Sequence, residues 1–318
     1  MSRAEVDLSK SGPAPPSLFA RLRDSDLVAS FLASKTTAAA GLIVLILVLA
    51  APAAPLIAPT DPFNPATNFL MDSLTPPRFV AGGDPRFLLG TDDQGRDLWS
   101  AILYGLRVSL MIGISSVMLG GAVGVALGLV AGYAGGWIDA VIMRIADVQL
   151  TFPAILIALL LDGVAQALLQ KSNRDETVLA VLVVSIGLSF WVQYARTVRG
   201  STLVEKNRDY VEAARLIGLT PARVVMRHIL PNVMGPVLVI TTINLAVAII
   251  TEATLSFLGV GLPPTEPSLG TLIRIGQNYL FSGEWWIVAF PSLALAILVL
   301  AVNLLGDWLR DALNPKLR

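Results

Sequence analysis

The 318-residue chain has no cysteine and one histidine, His228. Without thiols it can build neither a disulfide framework nor a thiolate metal site, and a single imidazole excludes a multi-histidine one, so no metal site is expected. Charge is also scarce: 14% of residues are Asp, Glu, Lys or Arg, balanced at 23 acidic and 23 basic. No net basic field is available to hold nucleic acid. No lysine follows a glycine, so the G-x-x-x-x-G-K-[ST] phosphate cradle is missing, and H-E-x-x-H is missing too. Gly187-Leu188-Ser189 approaches the nucleophile motif of an intramembrane serine protease, but Phe190 stands where its second glycine belongs. These absences argue against an enzyme.

Apolar residues fill the space that charge leaves. They make up 54% of the chain, and mean hydropathy is +0.70, far above a soluble domain. Residues 36–60, 108–138, 177–195 and 229–251 carry no charge at all. About 20 apolar residues cross a hydrocarbon core roughly 30 Å thick, so each run is long enough for a span or close to it. A third apolar segment lies between the charged residues Asp139, Arg144, Asp147 and Asp162, and a last one covers about 285–306. The expectation is an all-α polytopic membrane protein of six transmembrane helices. It divides into an N-terminal tail over 1–37, a first span over 38–58, an external segment over 59–104, a five-helix core over 105–307 and a C-terminal tail over 308–318.

Basic residues orient the bundle. The two tails, the connection at 131–144 and the loop at 196–235 hold sixteen Lys and Arg against six on the other side. By the positive-inside rule both termini and the loop at 196–235 face the cytoplasm. The external segment is rich in Pro, Gly, Asp and Asn and includes Leu88 to Asp97, LLGTDDQGRD, whose acidic spacing does not fit an EF-hand.

Four features inside the apolar runs stand out. Gly120, Gly124, Gly128 and Gly132 recur every four positions, which lines one helix face with small residues suited to seating another helix in lipid. Arg144 and Asp147 are i,i+3 neighbours able to pair, on a charged helix end or on a polar route through the bundle together with Asp162. Glu252 sits in TEATLSFLGVG with no other charge between 229 and 265. An ionisable residue in such a run is expensive and marks a candidate site. Glu252 either faces the bundle interior near the outer mouth or snorkels to the interface. Trp285 and Trp286 occupy a boundary where aromatics anchor to headgroups.

The loop at 196–235 does not read as a loop. Asp209 with Glu212 three residues on resembles a capping box, and Tyr210, Ala213, Ala214 and Ile217 form an apolar stripe at helical spacing. Gly218 ends that helix, Thr220 caps a second one with Pro221 at its first position, and Pro231 closes it. The expectation is a helix, a sharp glycine turn and a helix.

Glu212-Ala213-Ala214, then Gly218, then Ile229-Leu230-Pro231 resembles the cytoplasmic loop of ATP-binding-cassette (ABC) importer permeases. Gly90-Thr91-Asp92, two residues, then Gly95-Arg96-Asp97 before a span is similar to a signature of the dipeptide and oligopeptide (peptide/nickel) branch, on the C-type permease side. The resemblance is best from about residue 88 to the end. It implies the type I ABC importer transmembrane fold in a bacterial inner membrane and binding-protein-dependent import. The implied partners are a second, similar permease, two cytoplasmic ATPase subunits that use ATP and magnesium, an external solute-binding protein and membrane lipid. No cofactor is implied for this chain. Glu212, Ala213, Ala214, Gly218, Ile229, Leu230 and Pro231 would couple it to the ATPases. The cargo implied is di- or oligopeptides, with nickel chelates, glutathione or opine-like compounds as alternatives. A secondary transporter or a non-transporting membrane scaffold are the rival classes. The first usually shows two related halves, and none is visible here.

Overall fold

The computed structural model describes residues 26–64, 68–168, 174–263 and 267–313, and among them the only β pairing is an isolated bridge between Thr91 and Asp97. Residues 1–25 of the expected N-terminal tail, 169–173 of the polar connection and 314–318 of the C-terminal tail lie outside the described residues. The helices are α1 (Asp26–Ala33), α2 (Lys35–Ile57), α3 (Leu98–Ala134), α4 (Gly136–Leu150), α5 (Ala154–Leu168), α6 (Arg174–Glu205), α7 (Asp209–Leu216), α8 (Pro221–Val224), α9 (Leu230–Phe257), α10 (Leu269–Gln277) and α11 (Trp286–Ala312).

Among the described residues, five stretches are long and apolar enough to cross a membrane by themselves: α2, α3, the later part of α6, α8 running into α9, and α11. The third apolar segment is not a straight span. Its helices α4 and α5 meet at 95° across Thr151–Pro153. Pro153 lacks an N–H and disfavours helical backbone in the residue before it, so the break falls where the chemistry puts it.

Helix ends also differ from the charge-free runs. α2 begins at Lys35, where Ser34 accepts a hydrogen bond from the Thr37 amide at 3.3 Å, rather than at 38. α3 begins at Leu98 instead of 105, and α11 runs to Ala312, beyond 307. The reason is common to all three. A run without charge measures the part of a helix that lipid can cover, whereas the helix itself ends at a cap.

The bundle is built on α3 and α6. Their backbones approach along the glycine stripe: a β-carbon on Gly120 would lie 2.6 Å from the Gly187 carbonyl oxygen. On Gly124 it would lie 2.4 Å from that of Trp191, on Gly128 2.6 Å from that of Ala195, and on Gly132 2.7 Å from the Thr202 side chain. No larger residue fits at these positions without the helices moving apart. In lipid the association of helices depends on such close packing, because the hydrocarbon tails offer no hydrophobic drive. α9 completes the core against both, through Val233, Val237, Ala248 and Leu255.

Two ion pairs lash α4 to α6. Arg199 grips Asp139 with two nitrogens, one of them at 2.6 Å, and Arg196 bonds Asp147. The expected i,i+3 pair of Arg144 with Asp147 therefore does not form. Arg144 is exposed, and Asp147 spends its carboxylate on a neighbouring helix.

At the start of α3, residues 59–64 and 68–97 fold into a cap. Asp92 accepts from the Gln94 and Arg96 amides and from Arg96 Nε at 2.6 Å, with both side chains fully buried. Asp97 caps α3 by accepting from the Ser100 amide at 2.9 Å and its hydroxyl at 2.6 Å. Burial nonetheless pushes the Asp97 carboxyl above the ordinary carboxylate range, against the pull of those two bonds. Thr91 Oγ1 donates to the Asp72 carbonyl and accepts from the Thr75 amide at 2.8 Å, while Trp286 Nε1 donates to the Thr91 carbonyl at 3.2 Å. The stretch GTDDQGRD is thus a self-bracing turn that fixes the cap to α3 and α11. Trp286 is buried in this brace instead of anchoring to headgroups, and its neighbour Trp285 remains 42% exposed.

In a helix interior Ala normally stabilises relative to Gly by roughly 0.5–1 kcal/mol. Gly235, with nothing within 4 Å of an added β-carbon, should follow that rule, whereas Gly124→Ala should lower stability by about 1–3 kcal/mol because its methyl meets the Trp191 carbonyl. Thermal unfolding of the detergent-extracted protein should show opposite signs for the two substitutions. Equal shifts would mean that the stripe is not under compression.

Candidate coupling site

α6, α7, α8 and α9 form one connected unit at the end of the bundle opposite the cap. The short helix α7 starts with Arg208 as its cap residue, without a side-chain bond, so Asp209 lies inside the first turn and the expected capping box is absent. Acidic Asp209 and Glu212 still suit that position, where the helix dipole is positive. The far end is better determined. Gly218 has φ +83°, its amide bonds the Arg215 carbonyl at 3.0 Å, and the Leu219 amide bonds the Ala214 carbonyl at 3.2 Å. These two bonds are a Schellman closure, which needs a left-handed residue at Gly218.

Thr220 then takes an extended conformation ahead of Pro221, the first residue of α8, but its side chain caps nothing. α8 passes into a π-helical turn, Val225–Ile229, and this runs directly into α9. Pro231 therefore does not close the second helix. It is the second residue of α9, which follows the π turn without a break, and the helix continues through it into the membrane-spanning part.

Burial separates the seven candidate coupling residues into two groups. Ala214 and Ile229 are buried in the same core as Val211, Val224 and Val233, and Leu230 is half-buried against it. Glu212, Ala213, Gly218 and Pro231 are exposed. Val211 and Ala214 are the buried pair of α7, so the stripe read from the sequence, Tyr210, Ala213, Ala214 and Ile217, is split: Ala214 is buried and the other three are exposed. It borders a cavity of about 470 Å³, closed on its other side by Leu219, Arg227 and His228. Leu216 and Ile217 are 88% and 77% exposed at the tip. Sequence reasoning passed over Leu216, although two large apolar residues directly before a left-handed glycine are a signal of an apolar tip. Arg215 stacks over the Tyr133 ring at 5.4 Å and ties α7 to the end of α3.

The four candidate path residues are not brought together. Asp147 and Arg144 are on α4, and Asp147 meets Arg196, close to the end of α6 that carries the loop. Glu252 is fully buried, accepting from Ser109 of α3 at 2.8 Å and from Ser256 at 2.7 Å, while Ser109 accepts from the Leu269 amide at 3.3 Å. Ser109 is eleven residues into α3, roughly 16 Å from the cap at 1.5 Å per residue, so this knot of α3, α9 and α10 lies in the cap half. Its burial rules out snorkelling. Asp162 is buried within α5.

A sequence profile of the family described as binding-protein-dependent transport system inner membrane component matches residues 124–318. The di/tripeptide transport system permease protein DppC of Pseudomonas aeruginosa is 40% identical over 91% of this chain and 91% of its own length. The dipeptide transport system permease protein DppC of Haemophilus influenzae is 42% identical over 86% of this chain and 88% of its own. The glutathione transport system permease protein GsiD of Pectobacterium atrosepticum is 41% identical over 91% and 89%. Among solved structures, an inward-facing form of the MetNI methionine ABC transporter matches with a TM-score of 0.52 at 20% identity, over 67% of this chain and 96% of that one, a likeness of fold. With a multi-pass bundle of this fold, a loop unit of this geometry and relatives matched along nearly their whole length, the chain belongs to the binding-protein-dependent transport system inner membrane component family, as a permease subunit of an ABC importer.

Proposed function

We propose that this permease imports di- or oligopeptides, and that the exposed side of α7 with its glycine turn is the surface on which an ATPase subunit acts. The single observation that carries the coupling part is the division of α7 into two faces. Val211 and Ala214 fasten it to the core, and Glu212, Ala213, Leu216 and Ile217 are left uncovered. A contiguous exposed apolar tip beside a carboxylate suits a partner surface better than it suits water. Ala214, being buried, acts by seating the helix rather than by touching the partner. The loop and both termini face the cytoplasm, as the basic residues argue, and the cap faces outward towards a solute-binding protein.

The complete importer on this reading holds a second permease, with the substrate path between the two, and two ATPases that bind ATP and magnesium. When the ATPases close, α7 moves with them and carries α6 and α9, its neighbours in the chain. The peptide cargo is supported by relatives named for dipeptides and di/tripeptides, alongside one named for glutathione. Glu252 holds α3, α9 and the start of α10 together in the half of the bundle nearer the cap, and so keeps the outer side of the path shut. The buried Asp162 and the Arg196-bound Asp147 hold α5 and α4 in place beside that path.

Tagged wild type purified from native membranes in mild detergent should bring down two ATPase subunits and a second permease, and Glu212→Ala should weaken or uncouple that complex. A chain recovered alone and inactive, while a control importer stays intact, would return the secondary-transporter reading. Gly218→Val forces a β-branched residue to a positive φ and should abolish substrate-stimulated ATP hydrolysis, whereas Gly218→Asn, which tolerates that backbone, should keep most of it. Glu252→Gln should reduce uptake at normal expression, since an amide cannot accept on both sides as the carboxylate does. Undiminished uptake removes the gate role.

A further inference from the structure

Two small anchors, Val211 and Ala214, seat the eight-residue helix α7 on the core. Apolar contact is non-directional and leaves such a helix free to roll or slide about its seat. A lever that rolls loses its stroke. Besides the Arg215 contact with Tyr133, something directional has to fix its orientation, and the Tyr210 hydroxyl does so.

Tyr210 is the second residue of α7, and its hydroxyl donates to Oε2 of Glu205, the last residue of α6. The Tyr210 hydroxyl oxygen in turn accepts from Asn232 Nδ2, near the start of α9, at 3.0 Å. That amide also donates to the His228 carbonyl at 2.7 Å, inside the π-helical turn, and the Tyr210 and His228 rings lie 6.4 Å apart. Among the described residues these are the only side-chain hydrogen bonds that leave α7. One hydroxyl thus joins the end of the fourth apolar helix, the loop helix and the start of the fifth. The chain Asn232 to Tyr210 to Glu205 runs in one direction, each group donating to the next, and its last acceptor is charged, which strengthens the bond it receives.

We infer that the Glu205–Tyr210–Asn232 latch is a positioning device that makes α7 move as one body with α6 and α9, so that closure of the ATPases reaches both spans. This rests on the coupling role proposed above for α7 and adds the residues that convert docking into movement. Tyr210 is 39% exposed, so the latch contributes little to the fold as a whole, and its loss should show in coupling before it shows in assembly.

The test uses the complex that co-purifies with the full chain, reconstituted in proteoliposomes with its binding protein and a dipeptide pool, and reads uptake per ATP hydrolysed. Tyr210→Phe, which keeps the ring and removes the hydroxyl, should lower that ratio by about fivefold or more while the subunit composition stays that of wild type. Glu205→Ala should do the same, and Glu205→Gln, whose amide oxygen still accepts, should hold the ratio near wild type. A purely structural role for Glu205 would not distinguish these last two. A wild-type ratio in Tyr210→Phe, equal losses in both Glu205 variants, or loss of the ATPases from the Tyr210→Phe complex each overturns the latch. If Glu212→Ala uncouples while Tyr210→Phe does not, only the latch falls. If wild type brings down no ATPase, the coupling reading falls with it.

Discussion

The close approach of α3 and α6 is the constraint on which the rest of this bundle depends. Four glycines at four-residue spacing let one helix lay its backbone against Gly187, Trp191, Ala195 and Thr202 of the other, at distances no β-carbon would permit. Once that contact is made, the position of every later element is largely determined. α9 packs into the angle between the pair, α4 is tied to α6 by Asp139 and Asp147, and Lys206 reaches back to the Gly132 carbonyl at 2.8 Å to finish the end of α3. In water a hydrophobic core could tolerate a looser fit. In lipid, packing contributes most of the attraction, and a loose fit would contribute almost none.

The two ends of this rigid pair are treated differently. At the cap, a buried ion pair, a helix cap and two threonine-centred bonds hold a glycine-containing turn against α3 and α11, with Asp92 and Arg96 paired out of contact with water. Breaking one partner of such a pair would leave an uncompensated buried charge, so this end is suited to staying still. At the other end the loop unit is held by two small apolar anchors, one cation–π contact and exposed hydrogen bonds. This attachment is lighter than the one at the cap. Between the two ends the Glu252 knot joins α9 to the half of α3 nearer the cap.

The π-helical turn at Val225–Ile229 belongs to the same design. A π turn inserts a residue into the helical register, so it offsets the faces of α8 from those of α9. Nothing in the residues VMRHI marks it beforehand. Pro231 reads as a stop signal, yet it follows the π turn directly and the helix passes through it. The same kind of local ambiguity affected α7. Tyr210, Ala213 and Ile217 keep helical spacing as well as Val211 and Ala214 do, and periodicity alone cannot say which of two apolar faces a bundle will cover.

The all-helical membrane class, the apolar runs, the glycine face and the helix–glycine–helix loop were all legible in the residues, because each is a local property. Charge-free length, four-residue spacing and the left-handed preference of Gly218 do not depend on what lies nearby. Pairing was not legible. Arg144 is the sequence neighbour of Asp147, but Asp147 pairs with Arg196. Glu252 finds Ser109, 143 positions away, and Tyr210 joins two helices that sequence alone leaves apart. The sequence by itself determined which segments are apolar helices in a bilayer and where the glycine turn of the loop falls. Only the tertiary structure decided which charges meet, which face of α7 is covered and which bonds hold it. A polar side chain takes the partner that folding brings within reach, and distance along the chain carries no record of that.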